Sequence, residues 1–109
     1  MIARIKAWMS GIPVKPTEVR SPQWPAVERL HLRLEAVCQV CGTKKDLDVH
    51  HLIPFSWDAS KELDTDNLIT LCRTHHFLVG HLTDWKSYNP QCEPDCEIWR
   101  RKIGHRPRK

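Results

Sequence analysis

No stretch of this chain is apolar for long enough to cross a bilayer, and its start, MIARIKAWMSGIPVKP, lacks the apolar run of a secretory signal. The expectation is an intracellular, reducing setting with no membrane partner. Internal repeats are missing, which excludes a repeat architecture, and low-complexity sequence is confined to the last few residues. Hydrophobic residues at 40% and charged residues at 28% show no imbalance of the kind that leaves a chain disordered. With 109 residues, one small domain is expected, burying about 60–65% of its unfolded surface, so a second source of stability is needed.

What the chain has in plenty is metal-binding chemistry: five cysteines and seven histidines. In a reducing compartment, cysteines at short regular spacing read as metal ligands rather than disulfides. The net charge of +4 is unevenly spread. Residues 1–36 carry six Lys/Arg against three acids, residues 37–96 five against nine, and residues 97–109 six against one, giving +3, −4 and +5. A basic frame around an acidic, histidine-rich centre suits a polyanion held at the edges and a cation in the middle, although basic solvated termini would give the same totals.

Pro13, Pro16, Pro22 and Pro25 mark residues 1–20 as an extended arm. Val27, Leu30, Leu34 and Val37 recur at three- and four-residue spacing, predicting an amphipathic helix that starts near Ser21–Pro22 and ends near Val37. "LDVHH" (47–51) alternates like a strand, and "NLITL" (67–71) is its expected partner. Residues 52–66 between them are too many for a tight turn and should form an ordered loop over a site. "CRTHHFLV" is expected to be helical with Gly80 at its end, and "EIWRRKI" to form a short helix before a basic tail at 104–109. The main domain is expected to run from 21 to 103.

Cys38 and Cys41 form a C-x-x-C pair closed by Gly42; Cys72 and His75 form a C-x-x-H pair thirty residues on, the spacing selecting His75 while the adjacent His76 stays open as the alternative ligand. Two such pairs close a tetrahedral site, because a two-residue spacer lets both side chains converge on one ion, and thiolate and imidazole are the ligands zinc prefers. A structural zinc there can contribute on the order of 10 kcal/mol to folding. Cys92 and Cys96, spaced C-x-x-x-C, offer a second metal pair or a disulfide, but with no partner pair they read as small packed side chains, and His31 and His105 read as structural histidines.

The texts "CQVCG", "VHHLIPF", "DNLITLC" and "CRTHH" together resemble the HNH nuclease family, also called His-Me finger or ββα-metal nucleases, with the letters H-N-H on His51, Asn67 and His76. The flanks "RSPQWPAVERLHL" and "HFLVGHLTDWKSYNP" resemble the small HNH proteins of phages. The resemblance implies a small α+β fold, a zinc-stabilised hairpin and helix around one catalytic cation, with flanking helices and extended basic termini. Phosphodiester hydrolysis needs an activated water, a cation at the phosphate and stabilisation of the departing oxygen. A neutral imidazole suits the first task, which falls to His51. His50 and His76 would hold the divalent cation (Mg2+, Mn2+, Ni2+ or Zn2+). Adjacent residues of a regular strand point to opposite faces, so the strand is expected to bulge or end at this pair. Asn67, by the resemblance, hydrogen-bonds backbone across the loop and orients His51. His81 lies five residues past His76, off-register for one α-helical face, and is left open as a third ligand or a phosphate contact. Asp58, Asp64 and Asp66 are expected to be solvated.

The partner implied is DNA, double-stranded, bound by phosphate contacts with weak sequence preference, and the protein a monomer or weak oligomer. A place beside a phage terminase in genome packaging rests on the resemblance alone. The alternative is a zinc-knuckle module that binds nucleic acid without cutting it. Trp24, Trp57, Trp85 and Trp99 could stack on bases, but read mostly as core residues.

Overall fold

Two five-residue strands organise the molecule. A computed structural model describes residues 20–104, so the expected arm, apart from Arg20, and the tail beyond Gly104 lie outside the described residues. Strands β1 (Leu47–His51) and β2 (Leu68–Cys72) pair antiparallel, from Leu47 opposite Cys72 to His51 opposite Leu68. The register has no bulge; the strand simply ends at His51. His50 and His51 therefore keep the alternation of a strand and serve two different faces.

β2 is buried at every position and forms the floor of the core. Around it pack Cys38, Val40, Leu52, Val79, Cys92 and Cys96, with Leu47 and Ile103 at the margin. The connection between the strands contains two 3-10 turns, Ala59–Lys61 and Thr65–Asn67. Each starts on an aspartate whose carboxylate accepts a backbone N–H: Asp58 from Ser60 and Asp64 from Asp66.

Helix α1 (Trp24–Leu34) lies against the hairpin, but its inward face is not the one its leucines mark. Leu30 is 50% and Leu34 75% exposed, while His31 is buried, with Nε2 2.7 Å from Glu35 Oε2. The inward stripe runs through Trp24, Val27 and His31 because Trp24 packs on the His51 ring, at 4.4 Å between centroids. That contact rotates the helix away from its own apolar periodicity. The helix also stops three residues short of Val37.

After β1 and β2, the chain makes one α-helical turn, α2 (Arg73–His75), which widens directly into a π-helical turn, His76–Gly80. Helix α3 (Cys92–Gly104) starts earlier than the sequence suggested and closes the core with Cys92 and Cys96. Arg100 Nε donates to the carbonyl of Gln39 at 2.7 Å, tying α3 to the cysteine knuckle. The fold is a small α+β unit, as expected. Three of the tryptophans expected in the core are not there: Trp57, Trp85 and Trp99 are exposed, because aliphatic side chains and cysteines already fill so small an interior, while Trp24 is half-buried against His51. Among the described residues no helix is long and apolar enough to cross a membrane.

Candidate active site

Among the described residues, two separate donor sets emerge. In the first, one ligand atom each from Cys38, Cys41, Cys72 and His75 lies within 4.8 Å of all the others. Three of the edges are 3.3 Å (Cys72 Sγ to His75 Nδ1), 3.7 Å (Cys38 Sγ to His75 Nδ1) and 4.0 Å (Cys41 Sγ to Cys72 Sγ). A tetrahedral ion bound at about 2.3 Å by sulfur and about 2.0–2.1 Å by nitrogen has edges of roughly 3.5–3.8 Å, so these residues fit zinc. The knuckle is shaped locally: Gly42, at φ 75°, lets its N–H reach back to the carbonyl of Cys38, and Gln39 N–H docks the turn on Thr70 O of β2. Burial opposes ionisation of Cys38, but hydrogen bonds from Cys41, Cys72 and Val40 outweigh it and pull this thiol below its ordinary value. Burial pushes the Cys72 thiol up to about 11, which a bound cation would reverse.

The second set is a triangle of imidazoles. The ring centroids of His50, His76 and His81 are 4.9, 4.9 and 4.8 Å apart, and one nitrogen from each lies within 4.8 Å of the others. The π-helical turn explains His81. In an α-helix a residue five positions on points away, but the wider turn, closed by His81 N–H to His76 O at 3.1 Å, returns it to the same face. Tautomers are set by oxygen acceptors: His76 Nδ1 donates to Asp48 Oδ2 at 3.0 Å, and His81 Nδ1 to Ser87 O at 2.6 Å. Both Nε2 lone pairs then face each other at 3.2 Å. Two bare acceptors repel at that distance unless a cation lies between them, and two nitrogens about 2.0–2.1 Å from one ion span about this separation. His50 adds an independent sign, since its Nε2 is buried without a hydrogen-bond partner. Its ring is 2% exposed and seated against Gly80, where a Cβ would meet it at 3.1–3.2 Å. The residues fit a divalent cation.

Burial pushes His50 well below the usual histidine range, and the neighbouring imidazoles add to the lowering. Burial also lowers His76, with partial opposition from the Asp48 hydrogen bond. These rings are neutral near pH 7, the form in which imidazole ligates metal.

His51 turns to the other face. Its Nε2 lies 2.9 Å from the carbonyl of Glu62; because a carbonyl only accepts, Nε2 carries the proton and Nδ1 keeps its lone pair. Burial lowers the pKa of His51, the Glu62 carbonyl partly restores it, and Arg20 lowers it further. The buried Asn67 clips the inter-strand loop shut: Oδ1 accepts from Ile53 N–H at 2.8 Å, and Nδ2 donates to Ile53 O at 3.0 Å and Lys61 O at 3.1 Å. It reaches His51 through Lys61, whose neighbour Glu62 supplies the carbonyl.

Three groups escaped sequence reasoning. Glu62 is 4% exposed, with Oε2 2.8 Å from Arg20 Nε and Oε1 accepting Ser21 N–H. Asp48 orients His76, and Gly80 makes room for His50. Alternation within "LDVHH" could have flagged Asp48, which sits two residues before His50 on the same face; nothing local marks Glu62. The loop acids Asp58 and Asp64 cap turns and join neither donor set.

Comparison with known proteins agrees with this geometry. A COX1/OXI3 intron 2 protein of Saccharomyces cerevisiae is 40% identical over 53 aligned residues, which take in 39% of this chain and only 6% of that relative. No solved structure matches the chain at a comparable level. Residues 38–77, which supply the knuckle, the hairpin and every histidine of the two sites except His81, match the family model for HNH endonucleases. The knuckle, the bulge-free hairpin and the start of the turn behind it are thus the stretch of this chain that is similar to HNH endonucleases.

Proposed function

We propose that the protein is a metal-dependent endonuclease that hydrolyses DNA phosphodiester bonds, cutting or nicking with weak sequence preference. The observation that supports this reading best is the division of labour at the doublet: His50 points into a three-imidazole cluster, while His51 hangs from the Glu62 carbonyl with Nδ1 bare. His50, His76 and His81 would hold a divalent cation (Mg2+, Mn2+, Ni2+ or Zn2+), which would supply charge neutralisation at the scissile phosphate and the departing 3′ oxygen. His51 takes a proton from the attacking water at Nδ1, and its hydrogen bond to Glu62 O stabilises the imidazolium that results. Asn67 keeps that carbonyl in place by locking the loop that carries it. Arg20, held by Glu62 and lying 4.8 Å over the Phe55 ring, offers the rest of its guanidinium to a DNA phosphate. Cys38, Cys41, Cys72 and His75 would hold a structural zinc, which would secure β2 against the knuckle. A place beside a phage terminase stays an expectation of the resemblance alone.

The test is nicking of supercoiled plasmid by purified protein with Mg2+, Mn2+ or Ni2+, beside His51→Ala and a chelator control. Cleavage that requires both the cation and His51 supports the reading. Binding without cleavage under every cation would favour the non-catalytic zinc-knuckle module.

A further inference from the structure

The exposed tryptophan on the rim of the imidazole triangle has no part in that reading. Trp85 is 54% exposed, yet its ring lies 4.9 Å from His81, 5.1 Å from His76 and 5.1 Å from Phe77. The loop that presents it is held tightly. Thr83 N–H bonds Phe77 O, Asp84 N–H bonds His81 O, Ser87 N–H bonds Asp84 O and Asn89 N–H bonds Gly80 O. Leu82 and Thr83 both adopt left-handed backbone angles, φ 53° and 65°, a conformation that non-glycine residues rarely take and that concentrates at functional loops. The core does not need this ring. A second aromatic pair involves a residue three positions past Trp85: Trp57, from the loop after β1, meets Tyr88 edge-on at 5.6 Å and is itself 38% exposed.

We infer that Trp85 is a stacking platform for an unpaired base beside the scissile phosphate, so that the preferred substrate is single-stranded or frayed DNA rather than intact duplex. This rests on the nuclease reading above and refines its substrate. A phosphate at the imidazole triangle puts the adjoining nucleotide next to Trp85, and a base offers its face to an aromatic ring only after leaving its own stack. Stacking accepts any base, in keeping with weak sequence preference.

The experiment measures fluorescence anisotropy of a fluorescein-labelled single-stranded oligodeoxynucleotide and of the blunt duplex of the same sequence, using His51→Ala protein to prevent cleavage. Trp85→Ala added to that background is expected to weaken single-strand binding about tenfold and duplex binding less than twofold, with Trp85→Phe retaining most of the affinity. Mn2+ affinity, titrated in parallel, should not change. Equal loss on both DNAs, no loss on either, or a loss that follows weakened Mn2+ binding would overturn the inference. Wild-type protein that cuts plasmid while Trp85→Ala fails to discriminate defeats this inference alone, whereas cutting that persists in His51→Ala defeats the nuclease reading beneath it.

Discussion

His76 and His81 stand five residues apart, yet their Nε2 atoms face each other at 3.2 Å, each with its Nδ1 proton committed to an oxygen. A single widened helical turn produces that meeting, and the cation-binding capacity of the second donor set depends on it.

His51 and Cys72 separate chemistry from folding. His51→Ala is expected to lower plasmid nicking by about 10²–10⁴-fold while moving the melting temperature little, since only one half-buried ring is lost. Cys72→Ser removes one of the four donors proposed to hold zinc, a site type that contributes on the order of 10 kcal/mol, and should leave the chain largely unfolded. Matched melting curves for the two variants would contradict the two-site scheme.

Asp48 lies outside the cation set but sets the tautomer of His76 through its 3.0 Å hydrogen bond. Asp48→Asn should weaken Mn2+ or Ni2+ binding about 10–100-fold, as read by calorimetric titration, with zinc content at the knuckle unchanged. An unaltered titration would mean that His76 is oriented by packing alone.

At Gly80, a methyl group would stand 3.1 Å from His50 Cε1. Gly80→Ala is therefore expected to displace the His50 ring, lowering both divalent-cation affinity and nicking rate in a protein that still folds and still carries its zinc. Retention of full cation affinity would show that the ring is free to shift.

Asn67→Ala leaves the buried N–H and carbonyl of Ile53 without partners and takes one of two donors from the carbonyl of Lys61, at a cost of about 2–4 kcal/mol in unfolding free energy. The surviving folded fraction should show a lower kcat at nearly unchanged KM, because the loop carbonyl that holds His51 is no longer clamped. Wild-type kcat in the folded variant would remove Asn67 from the orientation of the base.

Glu62 makes stability depend on acid. Burial opposes its ionisation, but Arg20 and the Ser21 N–H outweigh this and hold its carboxyl below the usual value. Its contribution is complete above the ordinary carboxylate range and is lost as pH falls through the lowered folded-state value. The melting-temperature gap between wild type and Glu62→Gln should accordingly be largest near neutrality and shrink below about pH 4. Zinc loss in acid affects both proteins alike, so the gap isolates Glu62; a gap independent of pH would exclude it as the source.

Much of the layout was legible because it is local. A two-residue spacer places ligands without help from the rest of the chain, so Cys38 with Cys41 and Cys72 with His75 could be paired by eye. "LDVHH" alternates, and it is a strand over those same five residues. Helix α1 was misread at its inward face for the opposite reason. Its leucine periodicity is real, but the Trp24–His51 ring contact and the buried His31 decide which side meets the hairpin.

By itself, then, the amino-acid order determined the donors, their pairing and the strand that carries the histidine doublet, since each follows from backbone geometry over a few residues. Tertiary structure alone decided that His81 joins His50 and His76, that the Glu62 carbonyl leaves His51 Nδ1 bare, and that Trp57, Trp85 and Trp99 face outward. These depend on a π-helical turn, on a contact across eleven residues of loop and on how little volume the core has to fill, none of which a short window of sequence records.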